Sequence, residues 1–225
     1  MQIDRNLCTN CGRCVDACPN QAFELVGTCV SVAELIADVT RDSTYFRRSN
    51  GGVTVGGGEP AMQHEFVAAF LEGLKRLHIH TAIETCGYIA WQPLRRLLEF
   101  LDLVYLDIKH MNRAEHERLT GVSNDGVLEN ARRVSDSHAL IIRLPIVPGI
   151  NDSEENVAAA AHFAAALGAN LQRIELLPYH RLGVPTYRRL GRAYALEDLD
   201  VPAHSKLLRL KEVVEASGVR AQIGG

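Results

Sequence analysis

Aliphatic, β-branched runs alternate with amphipathic helical stretches along most of the chain, and this alternation restricts the fold more than any other feature. Strands are expected at 53–55, 80–86, 102–107, 139–147, 172–178 and 219–223. Helical periodicity marks 65–77, 92–100, 112–119, 125–135, 153–167 and 203–217 between them. Helix 65–77 carries Phe66, Val67, Phe70, Leu71 and Leu74 on one face. Ahead of the first strand, Ser31 with Glu34 reads as a capping box opening a helix through Val32, Leu35, Ile36 and Val39. Asp152 with Glu155 reads the same way for 153–167, which Gly168 ends. Such alternation gives βαβ units, a parallel sheet and right-handed crossovers. The fold class is therefore α/β.

The expected strands finish in polar groups. Val53-Thr54-Val55 runs into Gly56-Gly57-Gly58-Glu59-Pro60, a loop whose backbone a ligand can approach closely because no side chain stands in the way. The later strands end at Glu84 with Thr85, Asp107 with Lys109, Arg143, and His180. Taken singly, an arginine or histidine in a strand is more often structural or solvated. Repeated over five strands, the pattern places these groups around one mouth, since parallel strands present their C-terminal ends to the same side. Acids for an amino group, Lys109 and Arg143 for a carboxylate and a bare glycine backbone suit a zwitterionic ligand. Cys86 sits near the mouth but lacks a neighbouring base pattern, and reads as packing rather than as a nucleophile. His78 and His80 sit near a strand start and read as structural, and Tyr187-Arg188-Arg189 as a solvated or partner-facing loop.

The six cysteines are distributed unevenly, at 8, 11, 14, 18, 29 and 86. A secreted disulfide scaffold would spread them through a small chain. Here Cys8-x2-Cys11-x2-Cys14-x3-Cys18-Pro19 is the ferredoxin run that binds a 4Fe–4S cluster, with soft thiolates for iron and Gly12 for the tight turn. Zinc sites more often use two separated pairs. Cys29 stands alone and reads as a small apolar residue. Residues 1–30 thus form a ferredoxin-type segment ahead of an α/β unit at 31–225. A net charge of −3 with mixed signs argues against a nucleic-acid stripe. No apolar run approaches membrane-spanning length, and the first residues carry no signal-peptide pattern. A cytoplasmic location, with neither nucleic acid nor membrane as partner, is the expectation.

Gly57-Gly58-Glu59-Pro60 resembles the GGE motif of radical S-adenosylmethionine enzymes. The Cys8–Cys18 run, Ile83-Glu84-Thr85-Cys86-Gly87-Tyr88, Asp107-Ile108-Lys109-His110-Met111, Leu119–Asn124, Ile142–Gly149 and Leu176–Gly183 follow in an order similar to the glycyl-radical-enzyme activating enzymes. The versions with a ferredoxin insert are closest in pattern, and the similarity runs through Gln222-Ile223-Gly224-Gly225. The resemblance implies a partial TIM-type parallel barrel and the use of S-adenosylmethionine. It implies that Gly57, Gly58 and Glu59 hold the methionine amino group, that Lys109 and Arg143 meet the carboxylate and neighbouring polar groups, and that His180 contacts the ribose or adenine side. Glu84, Thr85 and Asp107 match positions that in relatives can bind a monovalent cation. A glycyl radical enzyme is the implied partner, with an electron donor such as flavodoxin or ferredoxin.

The sequence departs from this pattern in one respect. The family's radical cluster is held by C-x3-C-x2-C; Cys14-x3-Cys18 has the first spacing, but residue 21 is Gln21. The first βα unit and the radical cluster are therefore expected to be missing from the chain, and no catalytic residue is assigned. Activity of these residues alone is doubtful on this reading, with no 5′-deoxyadenosine expected. Two alternatives keep the same motifs: a non-catalytic electron-transfer or S-adenosylmethionine-binding module, and a radical enzyme with a different substrate.

Overall fold

A computed structural model of the protein describes residues 3–224. Met1 and Gln2, from the expected cluster segment, and Gly225, from the final block of similarity, lie outside the described residues. The helices are α1 Arg13–Ala17, α2 Val32–Val39, α3 Ser43–Ser49, α4 His64–Arg76, α5 Trp91–Leu98, α6 Arg113–Thr120, α7 Asp125–Ser135, α8 Glu154–Ala165, α9 Val184–Arg189 and α10 His204–Glu215. The strands are β1 Gly52–Val55, β2 His80–Thr85, β3 Leu103–Asp107, β4 Ala139–Ile146, β5 Leu171–Pro178 and β6 Ala221–Ile223.

The six strands lie in sequence order and every neighbouring pair is parallel. Each connection must carry the chain back to the same end, which is what the intervening helices do. The strand pairing runs in order from β1 to β6, with no pairing recorded between those two, so the described sheet is an open, partial barrel. Its core joins Ile83, Val104, Leu106, Leu140, Ile142, Ile174 and Leu176 of the strands to Leu71, Leu94, Leu97, Val134, Val157 and Leu210 of the helices.

A second apolar cluster joins α4 to α2, α3 and β1. Phe70, Leu74 and Ile79 take Val32, Leu35, Ile36, Val39 and Phe46 against them. The capping box at Ser31 and Glu34 forms as expected and starts α2 in register for this contact. Close approach depends on Gly73 of α4, where a Cβ would run into the Ile36 side chain.

Three sequence readings change. The cap of α8 is Ser153, whose hydroxyl accepts from Asn156 N, while Asp152 instead accepts from Gly149 N at 2.8 Å. Tyr187, Arg188 and Arg189 lie on α9 rather than in a loop; Pro185 near its start and a bond from Arg192 N to Tyr187 O close this short helix. Cys29 is exposed, so apolar packing does not account for it. The N-terminal segment meets the α9 region through Arg5, whose guanidinium donates to Arg189 O at 2.7 Å.

Candidate functional site

The glycine loop leaves β1 and turns over the mouth. Gly57 has φ +119°, a backbone conformation that side chains strongly disfavour, and neither Gly57 nor Gly58 has any heavy atom where a Cβ would look. Glu59 then anchors the loop to the next strand. Its Oε1 accepts from Thr85 Oγ1 at 2.7 Å and Ala61 N at 3.1 Å, and its Oε2 from Cys86 N at 2.7 Å. Burial would raise this carboxyl, but the bonds from Cys86, Thr85 and Ala61 outweigh it and hold it below its ordinary value. The Cys86 thiol also lies against this carboxylate, and Glu59 forms part of the cavity wall.

Below the loop lies a cavity of about 240 Å³ lined by Gly57, Gly58, Glu59, Glu84, Thr85, Cys86, Asp107 and Lys109. Most of the residues expected to gather at strand ends do so. The size is below the ~300–1,000 Å³ of drug-sized ligand sites and suits an amino-acid-sized group. Cys86 belongs to this wall, in line with its expected place near the mouth. Burial and the neighbouring Glu59 push its thiol up, so it stands here as a neutral group.

Behind the cavity runs a row of alternating charges across β2, β4 and β5. Arg143 donates from one terminal nitrogen to Glu84 Oε1 at 2.8 Å and from Nε to Glu175 Oε2 at 2.9 Å. Arg173 donates to the other oxygen of Glu175, Nε at 3.0 Å and a terminal nitrogen at 2.6 Å. The Arg143 guanidinium lies 4.0 Å over the Tyr105 ring. Burial alone would lower its pKa; Glu84 and Glu175 more than compensate and raise it, so the group stays charged. Glu175, Arg173 and Tyr105 had no signal in the sequence beyond polar residues inside apolar runs.

Lys109 donates to Asp107 Oδ2 at 2.6 Å. The turn that carries it is fixed by asparagines. Asn151 donates to Lys109 O at 2.9 Å and to Pro145 O at 2.6 Å while accepting from Val147 N at 2.8 Å. Asn124 donates to His110 O and Met111 O, and Asn156 accepts from Met111 N. His180 is not brought to the cavity; it is exposed, with its Nδ1 3.3 Å from Leu182 N. A larger cavity of about 560 Å³ lies at the opposite ends of the strands, by Lys75, Leu101 and His138. Lys75 there is bonded to Asp102 and the His138 ring to Ser137 and Leu98 O; the smaller cavity is the candidate site because it gathers the glycine loop with Glu59, Glu84, Asp107 and Lys109.

Cys8, Cys11, Cys14 and Cys18 are exposed or half-exposed, and among the described residues no three His, Cys, Asp or Glu side chains converge as a ligand set. The donor chemistry nonetheless fits an iron–sulfur cluster. Arg13 Nε donates to Cys11 Sγ at 3.4 Å and Ala22 N to Cys18 Sγ at 3.3 Å. Arg13 holds the Cys11 thiol below its ordinary value, favouring the thiolate that iron requires.

Comparison with known proteins gives this site its context. The Radical SAM superfamily model matches residues 18–161 and the 4Fe-4S binding domain model residues 1–24. The chain is 42% identical over 196 residues to the isethionate sulfite-lyase activating enzyme of Oleidesulfovibrio alaskensis, covering 85% of the chain and 62% of that protein. It is 37% identical over 227 residues to the 4-hydroxyphenylacetate decarboxylase activating enzyme of Clostridioides difficile, covering 99% of the chain and 71% of that protein. Among solved structures, a domain of the pyruvate-formate lyase-activating enzyme from Bacteroides vulgatus superposes with TM-score 0.66 at 28% identity, over 78% of this chain and 99% of that one. The chain belongs to the radical SAM superfamily and, within it, to the glycyl-radical-enzyme activating enzymes. A 4Fe–4S cluster and S-adenosylmethionine are the cofactors this membership carries. Among the described residues no helix is long and apolar enough to cross a membrane.

Proposed function

We propose that the chain forms the S-adenosylmethionine-binding part of an activase that installs a glycyl radical on a partner enzyme. The observation carrying this reading is the strand-end cavity that joins the bare Gly57–Gly58 backbone to Glu59, Glu84, Asp107 and Lys109. Glu59 would accept from an ammonium in the cavity that it lines, and its bonds to Thr85, Cys86 and Ala61 orient it without help from the ligand. Lys109 and Arg143 would receive the carboxylate, each giving up part of an existing contact to Asp107 or Glu84. Glu84 and Asp107, freed in this exchange, would hold a monovalent cation together with Thr85, which stays bonded to Glu59. His180, exposed beyond β5, would meet the nucleoside side after a shift of its loop.

Cys8, Cys11, Cys14 and Cys18 would hold a 4Fe–4S cluster that passes electrons from a flavodoxin or ferredoxin toward the site. A cluster with an open iron site, held by a C-x3-C-x2-C run that these 225 residues do not contain, would supply the electron that splits S-adenosylmethionine into methionine and a 5′-deoxyadenosyl radical able to take a hydrogen atom from a backbone glycine of the partner.

Equilibrium binding of S-adenosylmethionine to the anaerobically reconstituted protein tests the reading. Saturable binding that Lys109→Ala weakens about tenfold or more supports it, since a charge-assisted bond is lost. Absence of saturable binding, or binding indifferent to Lys109→Ala, overturns it.

A further inference from the structure

We propose that Glu175 is a positioning residue: it fixes the inner edge of Arg143 so that the outer edge faces the cavity and selects a ligand carrying a carboxylate. The inference rests on the reading of Arg143 given above and goes beyond it by assigning a role to a residue that touches no ligand.

Glu175 is 1% exposed, yet it carries a carboxylate inside the sheet. An isolated charge there would be costly, so its partners must supply both compensation and geometry. They do so asymmetrically. Arg173 takes Oε1 through two nitrogens and neutralises the carboxylate on its own. Oε2 is left for Arg143 Nε, at 2.9 Å. Arg143 is thus held from behind by a hydrogen bond and from one face by Tyr105. Its side chain is 13% exposed, and its terminal nitrogen reaches Glu84, which is 44% exposed and lines the cavity.

Glu84 therefore occupies the place a ligand carboxylate would take. Exchanging one carboxylate for the other leaves the charge on Arg143 balanced throughout, while the Glu175 contact stays in place. The strands are built for this. The register between β4 and β5 shifts by one residue after Leu140, so Arg143 stands opposite Glu175 instead of Ile174. Without that shift Glu175 would point to the other face of the sheet.

The test compares S-adenosylmethionine with its decarboxylated analogue, which keeps the amine, sulfonium and nucleoside. Binding of both is measured by calorimetry on the reconstituted wild type, Glu175→Gln and Glu175→Asp, with melting temperatures alongside. Glu175→Asp keeps the charge for Arg173 and withdraws the oxygen from Arg143, so it serves if Glu175→Gln does not fold. The expected result is a wild-type preference for S-adenosylmethionine that falls about tenfold in the variants, with the analogue's affinity unchanged. A wild-type preference that persists in both variants, or equal weakening of both ligands, overturns the positioning role. Equal binding of the two ligands by the wild type instead overturns the assignment of Arg143 to a carboxylate, and this inference with it.

Discussion

The backbone N–H of Cys86 donates to Glu59 Oε2 at 2.7 Å, tying the glycine loop after β1 to the end of β2. The two residues are far apart in sequence, and parallel pairing brings their strand ends together. Glu59 thus acts as the anchor that holds the Gly57–Gly58 backbone open to the cavity. This bond and its companions give the mouth its shape before any ligand arrives.

Replacing Glu59 with Gln should cost about 1–2 kcal/mol at neutral pH, because charge-assisted bonds to a half-buried carboxylate become ordinary ones. The folded-state pKa of Glu59 lies below its ordinary value. Its contribution is therefore complete above the usual glutamate range and is lost as pH falls through the lowered folded value. Urea unfolding should show the wild-type advantage over Glu59→Gln shrinking on acidification. An advantage that stays constant into strong acid would contradict this role.

Gly52 begins β1 beside the backbone of His80, and a Cβ there would overlap the His80 carbonyl oxygen. Backbone cannot swing aside as a side-chain tip can. Gly52→Ala should destabilise by about 1–3 kcal/mol and loosen the loop that follows. Thermal unfolding checks the first effect and S-adenosylmethionine binding the second; an unchanged melting temperature would refute the packing argument.

Asn151 ties Lys109 O, Pro145 O and Val147 N into one joint while 6% exposed. Asn151→Ala leaves those groups short of partners and should cost about 1–3 kcal/mol. Since the joint fixes the turn that presents Lys109, ligand affinity should fall in parallel. Hydrogen exchange at 108–112 is the direct measurement, and protection equal to wild type would count against the joint.

Serine at Cys8, Cys11, Cys14 or Cys18 should lower iron and sulfide content after reconstitution, because an alcohol does not replace a thiolate on iron. Serine at Cys29 or Cys86 should leave it unchanged. Full iron content in the Cys14→Ser protein would remove that residue from the ligand set.

Sequence alone determined the order of strands and helices, the capping box at Ser31, the cysteine run and the gathering of Glu59, Glu84, Thr85, Asp107 and Lys109 at one mouth. Those features are local: periodicity, caps and spacing act over a few residues, and parallel pairing then carries every strand end to the same side. Short segments escaped this reading. In α9 and α3 there are too few turns for a period to show, and tertiary contacts decide their state. The partners of each charge were also hidden. Arg143 was legible as a cation at a strand end, but its contacts to Glu84 and Tyr105 come from pairing through β3, and its contact to Glu175 depends on a one-residue register shift between β4 and β5. A shift of one residue reverses which face a side chain occupies, and strand composition does not record it, so only the folded sheet decides which carboxylate Arg143 meets.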